Sequence, residues 1–95
     1  MTETQLKVKV LKHIKRKYPN AWCYKTSDKF RSGVPDLLVL YKGKLLAMEL
    51  KSAKGKTSKL QDWTLAQILI AGGKIGVCST IDAVDRVFEA AGFKK

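Results

Sequence analysis

The sequence predicts a single α/β domain, residues 1–95, in which a mixed central sheet is flanked by helices. Three segments carry apolar residues at helical spacing behind a capping signal, and four shorter segments are rich in aliphatic and aromatic residues. Their order along the chain is αβββαβα. Because the predicted strands are apolar on both faces, helices are expected on both sides of the sheet.

The composition is strongly basic and favours a polyanionic partner. Lys and Arg number 19 against 8 Asp and Glu, which gives a formal net charge of +11. The excess is spread along the chain rather than confined to one tail. A chain of this kind is expected to bind a polyanion.

The sequence contains neither an export signal pattern nor a membrane-spanning pattern. The first residues do not show the positively charged segment followed by an apolar segment that is typical of a signal peptide, and no apolar stretch approaches ~20 residues. Cys23 and Cys78 lack the spacing of a zinc site or a redox pair, and we expect both to be reduced. These observations predict a cytoplasmic protein without a membrane partner.

The first helix is expected to begin behind Thr2, which forms a capping-box pattern with Gln5, and to end before Pro19. Its apolar stripe comprises Leu6, Val10, Leu11, Ile14 and Tyr18. Glu3 lies near the centre line of this stripe, at the N-terminus of the helix. It either complements the helix dipole or serves as a further acid beside the carboxylate pair described below.

Residues 21–25 are weakly alternating and aromatic, which predicts the first strand. The loop that follows, residues 26–33, combines hydroxyl groups, two cations and one aromatic ring. This composition suits contact with a sugar-phosphate backbone, and Arg31 and Ser32 are the candidate contacts. The alternative is an ordinary loop with Phe30 folded beneath it.

Residues 37–48 are interpreted as a β-hairpin with a tight turn at Gly43. If the turn has two residues, Asp36 lies opposite Glu49 on the neighbouring strand, and the period of two places Lys51 on the same face. A three-residue loop with a bulge would instead shift the register by one and turn one carboxylate to the other face.

Two carboxylates this close at the end of apolar strands repel each other, and desolvation increases the cost. A hard divalent cation such as Mg²⁺ offsets that cost, because it binds one or two carboxylates together with water and substrate phosphate oxygens. Lys51 would then face the reacting phosphate. Taken singly, each of the three side chains could be an exposed surface charge; together they favour a metal site.

The segment after the hairpin, residues 52–59, is rich in lysine and hydroxyl groups and leads directly into a helix. Such a loop can hold a nucleic-acid phosphate, and the candidate contacts are Lys54, Lys56, Ser58 and Lys59. Residues 55–57 resemble the end of a nucleotide-binding P-loop. That motif requires glycine where Leu50 stands, so no nucleotide cofactor is expected.

Ser58 and Gln61 form a second capping-box pattern. The helix behind it runs through Leu60, Trp63, Ala66, Gln67 and Ile70 to a stop at Gly72. Gln61 lies in the first turn, where its amide could orient a phosphate or a water at the end of the preceding strand. That makes Gln61 a candidate catalytic residue; simple capping is the alternative.

Residues 74–79 predict the fourth strand, and Thr80 is expected to cap the last helix, which ends at Gly92. The apolar positions of this helix are Ile81, Val84, Val87, Phe88 and Ala91.

The motifs resemble those of the PD-(D/E)XK nuclease superfamily. Pro35 and Asp36 match its PD pair, and Glu49, Leu50 and Lys51 match its ExK triplet. More narrowly, the chain resembles the small stand-alone VRR-Nuc domains of phages and bacteria over nearly its whole length. Further matches are an early helix acid, a glycine-led block before the PD pair, and a serine with a glutamine: Glu3, residues 33–36, Ser58 and Gln61. The eponymous Val-Arg-Arg sequence is replaced by Val77-Cys78-Ser79.

The resemblance implies hydrolysis of DNA phosphodiesters with Mg²⁺ or Mn²⁺. Asp36, Glu49 and the carbonyl of Leu50 would match the metal ligands of the family. Glu3 would match its helix-borne acid, which contacts the metal directly or through water. Lys51 would match the lysine that positions the attacking water.

The resemblance also implies a restriction-endonuclease-like αβββαβ core. The resemblance to family members of this size further implies a homodimer that acts on branched DNA such as four-way (Holliday) junctions, inside a bacterial or phage-infected cell. Two other readings are compatible with the basic composition. One is a non-catalytic DNA-binding module, and the other is a nuclease subunit that cuts only with a partner protein.

Overall fold

The computed structural model describes residues 1–26 and 33–93, in which three helices and four strands follow the predicted order. Their bounds are α1 Glu3–Lys17, β1 Trp22–Lys25, β2 Leu37–Tyr41, β3 Lys44–Leu50, α2 Lys59–Ile70, β4 Lys74–Cys78 and α3 Ile81–Ala90. The predicted α/β class and its element order are therefore confirmed. None of the helices in the described ranges has both the length and the apolar character needed to cross a membrane.

The helices begin where the capping patterns place them. The Thr2 hydroxyl accepts a hydrogen bond from the Gln5 amide at 3.1 Å, while the Gln5 side chain accepts one from the Thr2 amide at 2.8 Å. Ser58 makes the same reciprocal pair at the start of α2, and the Thr80 hydroxyl caps α3. These bonds satisfy amides that have no partner within the helix.

The hairpin between β2 and β3 has the two-residue turn that sets the predicted register. Lys42 and Gly43 have φ values of 49° and 81°, as the turn type that matches strand twist requires. Tyr41 pairs with Lys44, and the pairing continues to Leu37 opposite Met48. The prediction of a two-residue turn is confirmed, and the bulged alternative is wrong.

The sheet is mixed and has the strand order β1-β2-β3-β4. β1 and β2 are antiparallel, β2 and β3 are antiparallel, and β3 and β4 are parallel. The parallel pair is joined by α2, since parallel neighbours need a crossover connection. The ends of β3 and β4 consequently lie side by side at the same edge of the sheet.

One face of the sheet forms the main core with α1 and α3. Alternation along β3 directs Leu46, Met48 and Leu50 into this core, while Ala47 and Glu49 are buried on the opposite face. The helices supply Leu6, Val10, Ile14, Tyr18, Val84, Val87, Phe88 and Ala91. The predicted apolar stripes of α1 and α3 are confirmed.

The opposite face is covered by α2 only in part. Leu65 is the buried residue of α2, whereas Trp63 and Ile70 are 61% and 79% exposed. We call the uncovered apolar residues on this side the exposed apolar face: Trp22, Tyr24, Leu40 and Leu45 of the strands with Leu60, Trp63 and Ile70 of α2. In this face the Trp22 and Tyr24 rings stack at a centroid distance of 6.0 Å.

Candidate active site

Asp36 lies at the entry to β2, directly beside the end of β3. The backbone amide of Leu50 donates to Asp36 Oδ2 at 2.8 Å, and the amide of Thr26 donates to the Asp36 carbonyl at 2.9 Å. The Thr26 hydroxyl adds a 2.6 Å bond to the Pro35 carbonyl. Two bonds to Asp36 and one to Pro35 thus hold the Asp36 backbone and carboxylate where the hairpin register directs them.

Glu49 is the buried member of the carboxylate pair. Its side chain is 1% exposed, and its Oε2 is buried without a hydrogen-bond partner in the described part of the chain. The pKa of Glu49 is raised to about 8, first by burial and then by hydrogen bonding with Asp36 and by the negative charge of Asp36, while the charges of Lys51 and Lys7 oppose the rise. An orphaned buried oxygen is destabilising, and Oε2 is open to an additional partner such as a ligand.

Lys7 is a site residue to which the sequence analysis gave no role. Its Nζ lies 3.5 Å from Asp36 Oδ1. The signal that could have identified it is spacing, because Lys7 stands four residues after Glu3 and therefore on the same side of α1. A helix face that carries one candidate acid towards the site also carries this ammonium.

Lys51 directly follows β3. Its backbone amide donates to the Cys78 carbonyl at 3.0 Å and extends the parallel ladder by one bond. Its charge lowers the pKa of Glu49, which places the ammonium within electrostatic range of the carboxylate pair. The fold thus brings Asp36 and Glu49 together at the end of the strands and places the Lys51 backbone directly after Glu49 and Leu50, while the predicted role of the Lys51 side chain stays a prediction.

The donors at this edge fit a hard divalent cation. Two carboxylates and the adjacent carbonyl of Leu50 are oxygen ligands of the type that Mg²⁺ and Mn²⁺ prefer, and Glu49 Oε2 has a free position. Within residues 1–26 and 33–93, no three His, Cys, Asp or Glu side chains group to hold a metal. Glu3 is accordingly not part of a three-carboxylate group, and its role at the metal stays a prediction.

The side chain of Gln61 is engaged in capping α2. Its Oε1 accepts from the Ser58 amide at 2.8 Å, and the Ser58 hydroxyl accepts from the Gln61 amide at 3.1 Å. A catalytic role of Gln61 stays a prediction. The candidate phosphate contacts Lys54, Lys56 and Lys59 are exposed, whereas Arg31, Ser32 and Phe30 lie outside the described residues.

Gly33 holds the start of the site against α2. It has a φ of 83°, and a Cβ at this position would lie 2.7 Å from Leu60 Cγ and 3.1 Å from the Leu60 carbonyl oxygen. Only a residue without a side chain satisfies both conditions. The glycine before the PD pair therefore anchors residues 33–36 to the first turn of α2.

Replacing Gly33 with alanine is expected to lower the free energy of unfolding by about 2 kcal/mol or more, through backbone strain and overpacking. Gly72→Ala is the matched control, because Gly72 also has a positive φ, 103°, but nothing within 4 Å of the added Cβ. Urea unfolding measures both. Equal losses in the two variants would show that the contact with Leu60 contributes nothing.

The comparisons with known proteins agree with the motifs. No family model matches the sequence, and no curated protein matches it. Among solved structures, a chain described as "VRR_NUC domain" is 26% identical, with a TM-score of 0.70, over 94% of this chain and 97% of that one. The resemblance drawn from the sequence is confirmed.

Proposed function

We propose that this chain, which has the fold of a VRR-Nuc nuclease domain, is a metal-dependent endodeoxyribonuclease that hydrolyses phosphodiester bonds. The observation that supports this best is the Asp36 and Glu49 pair, with a buried and unpartnered Oε2, beside the ammonium groups of Lys7 and Lys51. A purely structural edge of the sheet would not retain an acid in such a place, since its burial is destabilising.

Asp36, Glu49 and the Leu50 carbonyl would hold Mg²⁺ or Mn²⁺. When bound, such an ion lowers the pKa of water and polarises a phosphoryl oxygen. Lys51 orients the attacking water and stabilises negative charge that develops on the phosphate in the transition state, and the 3′ oxygen leaves in line. Lys7 lies 3.5 Å from the Asp36 carboxylate and helps to hold it in position.

The proposed substrate is branched DNA such as a four-way junction, in the cytoplasm of a bacterial or phage-infected cell. The net charge of +11 supports a DNA partner. Arg31, Lys54, Lys56 and Lys59 would follow the phosphate backbone without reading base sequence. Contacts of that type favour recognition of shape over recognition of sequence.

We further propose that the active form is a homodimer, formed through the exposed apolar face. It combines seven exposed apolar side chains, two of them tryptophans, and an apolar surface of this extent is typical of a protein–protein contact. Two-fold pairing would bring two carboxylate sites together in one particle. Paired nicks across a junction need that arrangement, because one site of this size can make one nick.

Trp63→Lys combined with Ile70→Lys is expected to convert the dimer to a monomer, because both side chains are largely exposed in the single chain and would be buried between copies. Sedimentation velocity measures the change. Val8→Lys is the matched control, since Val8 is 49% exposed on α1 and outside the exposed apolar face. A monomeric parent protein, or a variant that remains dimeric, would contradict the proposed interface.

The direct test is incubation with labelled four-way junction, flap and linear duplex, with and without Mg²⁺ or Mn²⁺. Metal-dependent cleavage with preference for the junction is expected. Binding without any product would indicate a non-catalytic DNA-binding module, and activity that appears only with a cell extract would indicate a subunit that needs a partner. Equal cleavage of all three DNAs would contradict junction specificity.

A further inference from the structure

Helix α1 carries a cationic surface that has no place in the candidate active site. Six Lys or Arg side chains stand on this helix against one acid, Glu3. Two of the six are paired with acids, Lys7 with Asp36 and Lys17 with Asp85. Lys9, Lys12 and Arg16 recur at helical spacing on one side and, with His13 and Ile81, line an open cavity of about 430 Å³.

Asp85 of α3, the acid that His13 contacts, is already paired with other groups. Asp85 Oδ1 lies 2.8 Å from His13 Nε2 and accepts a 3.0 Å bond from the Tyr18 hydroxyl, while Oδ2 lies 3.0 Å from Lys17 Nζ. Burial alone would raise the pKa of Asp85, but the hydrogen bonds from His13, Lys17 and Tyr18 lower it below its ordinary value. The negative charge of Asp85 is therefore already paired with His13 and Lys17.

Four cations of α1 remain, and the three that line the cavity have no ion-pair partner among the described residues. In the described ranges, the ion pairs are those of Lys7, His13 and Lys17, and none involves Lys9, Lys12 or Arg16. Like charges three or four residues apart on a helix destabilise it. The cost falls when a polyanion lies against them, and a concave surface brings several phosphates within reach at once.

The position of the cationic surface relative to the carboxylate pair indicates which part of a DNA substrate it would contact. The Lys7 contact with Asp36 places the first turns of α1 at the carboxylate pair. At 1.5 Å rise per residue, Arg16 lies roughly 14 Å further along the helix axis than Lys7. The cations therefore lie on the side of α1 opposite to Lys7 and at increasing distance along the helix axis from the carboxylate pair.

We propose that Lys9, Lys12 and Arg16 form a second binding track for DNA backbone, which holds an arm of the substrate that leads away from the cleaved phosphate. The proposal rests on the proposed function for the identity of the polyanion. Arg16 is held in place by His13, whose Nδ1 lies 3.4 Å from Arg16 Nη2 and whose Nε2 is bonded to Asp85. The track is thus partly pre-organised before DNA binds.

The test compares two variants that each lose three positive charges. The track variant is Lys9→Gln, Lys12→Gln and Arg16→Gln, since glutamine is a comparable helix former. The control is Lys15→Gln, Lys44→Gln and Lys74→Gln, which lie off the track. Binding to a labelled four-way junction is measured in EDTA as a function of salt concentration, and cleavage is measured with Mg²⁺ at saturating DNA.

Each lost phosphate contact should reduce the slope of log affinity against log salt by about 0.9. We expect a reduction of about 2 to 3 for the track variant and less than about 1 for the control, with kcat unchanged and KM raised in the track variant. Lys12→Gln alone, a single change at an exposed helix position, should reduce the slope by about 0.9.

Equal slopes for the track variant and the control would overturn the proposal, as would a loss of kcat at saturating DNA. These outcomes are separable from failure of the proposed function. If the parent protein never cleaves DNA, but the salt dependence of binding falls in the track variant and not in the control, the track is supported and the nuclease function is refuted. If the parent cleaves DNA and the track variant binds as the parent does, the nuclease function is supported and the track is refuted.

Discussion

Replacing Glu49 with glutamine, or Asp36 with asparagine, is expected to reduce Mg²⁺-dependent DNA cleavage by at least ~10³-fold, because each change removes an anionic oxygen from a pair that would hold the ion. Both substitutions keep the shape of the side chain. Initial rates on a labelled four-way junction measure the effect. Undiminished turnover in either variant would refute the proposed site.

The control for this prediction is the free energy of unfolding, which should not be lower in the inactive variants than in the parent protein. In metal-free protein, the pKa of Glu49 is about 8 in the folded state and 4.5 in the unfolded reference. The folded state therefore binds the Glu49 proton more tightly, and this contribution to stability is present below pH 4.5 and lost as the pH rises through about 8.

Glutamine resembles the protonated acid at every pH, so Glu49→Gln should remove this loss. In EDTA, we expect the variant and the parent to unfold at similar urea concentrations at low pH. At about pH 9 the variant should be the more stable by more than the ~1.4 kcal/mol that corresponds to one unit of pKa. A variant less stable than the parent at that pH would show that Glu49 is ionised without penalty.

Replacing Lys51 with alanine should reduce kcat by roughly 10² to 10³-fold while DNA affinity changes little, because its ammonium acts on charge that develops in the transition state. Lys44→Ala is the matched control, since Lys44 lies at the hairpin end of β3, far along the strand from Glu49. Single-turnover rates at saturating DNA separate the two steps.

A Lys51→Ala protein that keeps its kcat and only raises KM would assign Lys51 to DNA binding instead. The same experiment on Lys7→Ala distinguishes the two ammonium groups. Lys7 contacts Asp36 and acts through it, so we expect a smaller effect on kcat than for Lys51.

The register of the hairpin could be predicted because two independent signals agree. Alternation along β2 and β3 fixes which side chains are buried, and a turn with glycine at position 43 fixes which residues pair. The approach of Asp36 to Glu49 follows from that register alone. For the same reason, helix starts at Thr2 and Ser58 could be predicted from capping patterns.

The contact of Lys7 with Asp36 could not be predicted in this way. Periodicity assigns Lys7 to a side of α1 but does not say that a long side chain reaches round the end of the sheet. The buried side of α2 is a second case. The apolar residues of α2 occur on all sides of the helix. Their spacing alone therefore does not distinguish Leu65, which is buried, from Trp63 and Ile70, which are exposed.

The most direct measurement is the affinity of DNA-free protein for Mn²⁺. Isothermal titration calorimetry gives this affinity for the parent, Asp36→Asn, Glu49→Gln and the double variant. If the two carboxylates share one ion, the parent should bind Mn²⁺, each single variant should bind it at least ~10-fold more weakly, and the double variant should not bind it. Unchanged Mn²⁺ affinity in the double variant would contradict the account.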